Sequence, residues 1–312
     1  MTLNDFLKAQ TAPLIRARDR LKLPEINMNE LMRRFRILSY RASGFEKFDG
    51  RVVLSQESTA EAAVEHIFNG ESSPASLYRL RVMQIWKTWE RDRIIGCFTP
   101  QALEETCRTS WWKDYPADLL IDSFNPWSVY ISLEGIADSE GDSSRFGGFF
   151  AGFEYASGTL CLVIQQIGLS GDWLPEFLHI YPIRRGQRLG DAVAEYGFRK
   201  GDAEYLKHFF KEALEVPEEE VYAMLTTLGE RVASYAFPLL IAMMSGEIVE
   251  RKSFEMEGDG RIVRLADSEI PMRNFDSMND QKGEGSGSQK SGDGMRIFLM
   301  RLSEAERDGG LN

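Results

Sequence analysis

The sequence predicts an α+β protein with a helical N-terminal part, a central antiparallel β-meander and a helical C-terminal part. Three observations carry that prediction. Pro126 to Ile183 divides into the runs PWSVYISL, GGFFAGFEYA, TLCLVIQQI and EFLHIYPI, which alternate apolar with polar or small residues or are short and apolar throughout. A period of two is the strand signature, and the short links between the runs favour antiparallel neighbours. On both sides of this stretch, apolar residues recur at three- and four-residue spacing behind capping residues, as in helices. The composition, 43% hydrophobic and 27% charged over 312 residues, is that of a globular chain long enough for a sizeable core.

Taken in order, Asn4 to Leu21 is a helix in which Pro13 kinks or splits the run, and Pro24 ends the unit. Asn29 caps a second helix through Ser39, Ser43 to Glu57 is a loop or short hairpin, and Thr59 to Phe68 is a short helix. Ser73-Pro74 opens a stronger helix to about Glu90, because proline suits a first turn where its missing N–H has no partner. Tyr78, Val82, Ile85 and Trp89 form one apolar stripe there, and Leu77, Leu80, Met83 and Trp86 a second, so this helix is buried on two sides. Arg93 to Phe98 is a short strand, Thr99 caps a helix through Cys107, Trp111 to Pro116 is an aromatic link, and Asp118 to Ser123 is a short apolar stretch.

In the meander, Trp127, Val129, Ile131 and Leu133 share one face and Ser128, Tyr130 and Ser132 the other. Ala137 to Gly147 is a polar, glycine-rich loop, and Ser157-Gly158 a tight turn. Large apolar groups on both sides of the later strands call for helices over one face and partial cover on the other. Beyond it come helices over Arg188–Arg199 and Asp202–Leu214, then one from Pro217 to Ser245 bent at Pro238, with three glutamates at its positive end. Ile248–Met256 and Arg261–Leu265 flank a hairpin turn, and Met295 to Leu302 is a strand or a helix. The organisation is therefore a basic helical segment (1–57), an α+β core with an antiparallel sheet (58–275), a disordered Gly/Ser linker (276–294), and a short C-terminal element with its tail (295–312).

A formal net charge of −11 opposes binding to phosphate backbones over the whole surface, so direct nucleic-acid binding is not expected. The charge is uneven. Met1 to Arg51 holds 11 Lys and Arg against 6 Asp and Glu, a net of +5, which leaves −16 for the remainder. Those basic residues make either a solvated helix face or a docking surface for an acidic partner. Three scattered cysteines, Cys97, Cys107 and Cys161, suit free thiols in a reducing compartment. The first residues lack an apolar signal core, and Val232 to Met244 is too short to span a bilayer, so a cytoplasmic protein without membrane contact is expected.

The motifs that carry chemistry are sparse. His66, His179 and His208 do not fall at metal-ligand spacing, and there is no HExxH, P-loop or G-x-S-x-G, so neither cofactor nor metal is expected and no catalytic residue is assigned. Glu154 and His179 both sit in strands and as a pair would suit acid–base work. Asp118, Asp122 and Glu134 match no metal template. What stands out is aromatic density around the meander. Most of it serves a core, but Tyr130, between Ser128 and Ser132, is the candidate for an exposed ring suited to peptide recognition.

Five stretches, in order, resemble a family of mobile-element anti-CRISPR proteins directed against the RNA-guided nuclease of type V-A systems, the class that interferes with production of the nuclease. They are WKTWERDRIIGCFTPQALEET (Trp86–Thr106), FNPWSVYISL (Phe124–Leu133), GGFFAGFEY (Gly147–Tyr155), HIYPIRRGQRLGDAVAEYG (His179–Gly197) and FPLLIAMMSGEI (Phe237–Ile248). The most specific is Pro126, Trp127, Val129 and Tyr130, followed by Gly186, Gln187, Val193, Tyr196 and Gly197. The resemblance implies a non-enzymatic protein of the bacterial cytoplasm that recognises the nascent N-terminal segment of the effector nuclease and suppresses its biogenesis, with the ribosome or mRNA engaged only indirectly. Relatives carry a basic C-terminal tail rich in His, Arg and Trp, whereas Met295 to Asn312 has neither His nor Trp. The residues assigned to the partner site are Trp127, Tyr130, Phe150, Glu154, His179 and Tyr181. The rival functions are a phage- or plasmid-encoded hydrolase or RNA-cleaving protein built on Glu154 and His179, and a structural interaction protein whose aromatics are core.

Overall fold

A computed structural model describes residues 2–20, 47–48, 51–52, 85–86, 89–90, 93–108, 110–123, 128–133, 146–156, 159–171, 173–194, 218–245, 249–265 and 294–302. The predicted helices at 29–39, 59–68 and 202–214, residues 137–145 of the predicted loop (whose last two residues, Phe146 and Gly147, open a strand), the stretch 276–293 and the predicted domain boundaries at 57/58 and 275/276 lie outside these residues.

The protein is α+β, built on one mixed eight-stranded sheet. Helix α1 (Leu3–Arg20) comes first, then a two-stranded hairpin, β1 (Lys47–Phe48) and β2 (Arg51–Val52). Helical turns at 85–86 and 89–90 lead into β3 (Ile94–Phe98), α2 (Pro100–Cys107), a 3₁₀ turn (Trp111–Asp114) and α3 (Ala117–Ser123). The meander follows as β4 (Ser128–Ser132), β5 (Phe146–Ala156), β6 (Thr159–Gly168) and β7 (Trp173–Pro182). Helices α4 (Leu189–Ala194) and α5 (Glu218–Ser245), and strands β8 (Val249–Met256), β9 (Ile262–Arg264) and β10 (Met295–Leu302), complete it. The strand order is β7-β6-β5-β4-β3-β10-β8-β9.

The four meander strands pair antiparallel in sequence order, as expected from the short links between them. The sheet then continues past them. β3 joins β4 in parallel, with α2, the 3₁₀ turn and α3 as the crossover, and β10 joins β3 in parallel and β8 antiparallel. Met295 to Leu302 is thus a strand in the sheet interior. The C-terminal part carries α5 and, beyond it, three strands of the same sheet.

Pleating sends alternate residues into two separate cores. Ile94, Phe98, Val129, Ile131, Phe149, Ala151, Leu162, Ile164, Tyr181, Phe298 and Met300 meet α2, α3, α4 and α5 on one side. Ile95, Cys97, Tyr130, Phe150, Cys161, Val163, Ile297 and Leu299 meet α1 and the 85–90 turns on the other. Every residue of β3 and β4 is buried, so the middle of the sheet is covered on both faces.

Local chemistry explains the helix ends. Thr2 and Asp5 form a reciprocal cap on α1: Asp5 N–H donates to Thr2 Oγ1 at 3.2 Å and Thr2 N–H to Asp5 Oδ2 at 3.0 Å. α1 runs unbroken through Pro13. Its buried stripe is Leu7, Gln10, Thr11, Leu14 and Ala17, while Leu3 is exposed. Thr99 caps α2 as expected, accepting from Ala102 N–H at 3.4 Å. Residues 236–243 of α5 are buried all round, between the sheet and the shorter helices. No described helix is long and apolar enough to cross a membrane.

Candidate functional site

The face of β4 that carries Tyr130 is closed. Tyr130 and Phe150 pair across β4 and β5, with ring centroids 5.1 Å apart, and neither is exposed. Trp86 and Trp89 lie on Phe150 edge-on at 5.8 and 5.7 Å and contact each other at 5.2 Å. Each polar ring atom is satisfied inside this cluster. Tyr130 O–H donates to Gly147 O at 3.1 Å, Trp89 Nε1–H to Ile94 O at 2.7 Å and Trp86 Nε1–H to Glu90 Oε1 at 2.9 Å. The assignment of Tyr130 as an exposed ring is therefore corrected. Ser128 and Ser132 made its face look polar, but small hydroxyls are buried readily, and both are only 1% exposed. The two tryptophans that cover the face lie some forty residues upstream, beyond the range of strand alternation.

The glycines of GGFF are needed for close approach. A Cβ on Gly147 would overlap Pro13 of α1, and one on Gly148 would overlap the Tyr130 hydroxyl and Ile131 O. Gly171 has φ +85°, and a Cβ there would lie 2.6 Å from Arg16 Cβ; beside it Arg16 Nη2 donates to Leu169 O at 2.6 Å. Backbone without side chains thus seats α1 against the sheet.

His179 and Tyr181 lie on the opposite face, beneath α5. Tyr181 O–H donates to Gly229 O of α5 at 2.6 Å, and its ring packs on Phe237 at 5.2 Å. His179 stacks near Tyr181 at 6.4 Å and is fully buried. Burial holds its pKa down at about 3, so it is neutral across the physiological range. His179 pairs with Ile164, which pairs with Ala151, and Glu154 lies three residues further along β5, opposite Cys161. An odd separation places it on the other side of the pleat. By backbone register, Glu154 and His179 therefore stand at positions of opposite pleat. Phe150 and Tyr181 likewise point into different cores. Trp127 lies outside the described residues, as does the side chain of Glu154. The four assigned site residues whose side chains are described thus do not converge: Tyr130 and Phe150 stand on one face, His179 and Tyr181 on the other, all four buried.

The turn after β7, Ile183 to Arg188, is the best-organised surface feature. Gly186 takes φ +76°, and its N–H donates to Asp118 Oδ2 at 2.7 Å. Gln187 Oε1 accepts from Arg184 N–H at 3.0 Å, and Gln187 O from Ala117 N–H at 2.8 Å. Arg185 holds both oxygens of Asp122, at 2.7 and 3.3 Å, and reaches Asp118 at 3.4 Å. That guanidinium keeps the Asp122 carboxyl below its ordinary pKa. Arg188 Nη1 meets Asp114 Oδ1 at 2.5 Å. The carboxylates Asp118 and Asp122, weighed as metal ligands, instead clasp Arg185. Among the described residues no group of three His, Cys, Asp or Glu is placed to hold a metal ion.

Beside this clasp the aromatic link read from the sequence leaves two of its rings partly exposed. Trp111 and Tyr115 are half-buried and meet edge-on at 6.2 Å, and Leu119 is 49% exposed. Trp112 between them turns inward onto Phe237 at 5.3 Å. The signal was present in the Trp-Trp pair: in a 3₁₀ turn, adjacent residues point about a third of a turn apart, so one is core and the other surface. Trp111 and Tyr115, with the exposed Lys113, Pro116 and Leu119 in the same stretch of chain, leave partly apolar surface next to the paired Arg185 and Arg188.

No family model matches the chain, and no curated protein matches it. Among solved structures it is similar to the crystal structure of AcrVA2, at 10% identity and a TM-score of 0.46, over 99% of this chain and 87% of that one. A likeness of that size carries no functional weight.

Proposed function

We propose that this chain is an anti-CRISPR protein of the type V-A kind, which binds the newly made N-terminal segment of the effector nuclease in the bacterial cytoplasm and lowers its production. What supports this function is a single observation, the five stretches between Trp86 and Ile248 that follow the order found in that family. In the fold four of them supply β3 with α2, β4, β5, and β7 with α4, and the fifth covers the C-terminal end of α5. Their side chains line the sheet and the clasped turn, and the proposed contact with the nuclease lies outside these stretches, on the neighbouring 3₁₀ turn and α3. The ridge of Trp111, Tyr115 and Leu119 is the described surface that suits an extended peptide, with aromatic anchors beside charged groups that are already paired.

A pull-down of this chain with a synthetic peptide of the nuclease N-terminus tests the proposal. Enrichment over a scrambled peptide is expected, and Trp111→Ala with Tyr115→Ala should abolish it. Equal recovery of the two peptides would remove the proposed partner.

A further inference from the structure

Strand β10 has an unusual place. It is hydrogen-bonded along both edges: Arg296 to Met300 pair with Ile94 to Phe98 of β3, and Met295 to Leu302 pair with Met256 to Val249 of β8. β3 and β8 are not neighbours, so the five strands β7 to β3 and the hairpin β8–β9 belong to one sheet only through β10. Its side chains enter both cores, with Phe298 and Met300 against the α5 side and Met295, Ile297 and Leu299 against the other. Register is fixed at one end by Arg301, whose Nε donates to Glu250 Oε2 at 2.7 Å directly across the ladder. It is fixed at the other by Arg296 N–H, which donates to Arg93 O at 2.9 Å. Yet the covalent link from Leu265 to β10 is 29 residues long, and its last part, from Asn279 to Gly294, contains no apolar side chain. Such a link adds little to the choice of register or orientation, and its length makes closure only weakly dependent on sequence. Recognition of β10 therefore resides in the strand and its slot.

We propose that Met295–Leu302 is a donor strand: a separable element that completes a strand-accepting slot between β3 and β8 and holds it by its own contacts, independently of the link. A slot with two unpaired edges and two apolar floors recognises a strand by main-chain hydrogen bonds for affinity and by alternate side-chain pockets for register. The required chemistry is specific. The strand must be apolar on both faces and carry a cation opposite Glu250, which Met295–Leu302 supplies and the polar link does not.

The test uses the full chain with a site for a sequence-specific protease inserted between Gly285 and Ser286; the uncut protein must melt at the temperature of the unaltered chain. After cutting, the two pieces are expected to co-elute under native conditions. A fluorescent peptide of residues 294–312, added in excess at a denaturant concentration just below the unfolding midpoint, should then be incorporated at one per chain. The same peptide carrying Ile297→Asp and Phe298→Asp, which spoils both faces, should not be incorporated. Release of the C-terminal piece on cutting, with the melting temperature of the remainder unchanged, would overturn the proposal. So would failure of the unmodified peptide to exchange, or equal uptake of the two peptides.

Discussion

His179 shows how burial sets both chemistry and stability. Its imidazole stays neutral in the folded protein with a pKa near 3, while the unfolded chain takes up the proton near 6.5. The unfolded state then binds more protons between those values, so acid favours unfolding. Stability is expected to be complete above about pH 6.5 and to fall towards pH 3, with a limiting slope of about 1.4 kcal/mol per pH unit from this one group. Urea unfolding at a series of pH values checks this. The decline should be shallower in His179→Phe, and equal slopes would show that His179 is charged when folded. Gly148 makes a second test. Gly148→Ala should cost about 2 kcal/mol or more, because its Cβ overlaps Tyr130 and the Ile131 carbonyl. Gly186→Ala should cost only about 1 kcal/mol, because its Cβ would meet nothing within 4 Å and the penalty is that of φ +76° alone. At this scale the sequence was partly legible. Thr99 announced its cap, but Gly147 and Gly148 read only as a glycine pair, because what approaches them comes from α1 and β4.

Among elements, the turn from Ile183 to Arg188 depends more on one backbone contact than on its ion pairs. Arg185 and Arg188 are exposed, and exposed pairs contribute little. Asp118 in addition accepts the Gly186 N–H. Asp118→Ala should therefore lower the melting temperature more than Asp114→Ala, and the difference should persist in 1 M salt. Equal losses that vanish with salt would mean that the turn is held by charge alone. The strands of the meander were legible because alternation is local, and their antiparallel order followed from the short links. The cover over Tyr130 was not, because a strand pattern reports which residues share a face and says nothing of what lies on it. Trp86 and Trp89 were correctly read as core, but their place on Phe150 follows from tertiary packing. The 3₁₀ turn at Trp111 was read simply as a link, which hid the half-buried Trp111–Tyr115 pair.

The whole molecule is a sheet enclosed by two cores, and its thiols report on that enclosure. Cys97 and Cys161 are buried, and burial pushes the Cys107 thiol up to about 12. A thiol reagent at neutral pH is expected to label none of the three cysteines rapidly in the folded protein and all three in denaturant. Prompt labelling of Cys161 would contradict the cover of α1 over β5 and β6. The mixed topology was the least legible feature, since β3 and β10 pair in parallel across some two hundred residues and no local pattern encodes such a partner. The proposed activity belongs to this scale too, because the family-like stretches are spread through the sheet and its turns. Its most direct test is co-expression of the chain with a type V-A effector nuclease, and with the same nuclease carrying a replaced N-terminal segment, followed by measurement of nuclease protein. A selective fall in the unaltered nuclease is predicted; equal levels of both nucleases, with and without the chain, would contradict the account.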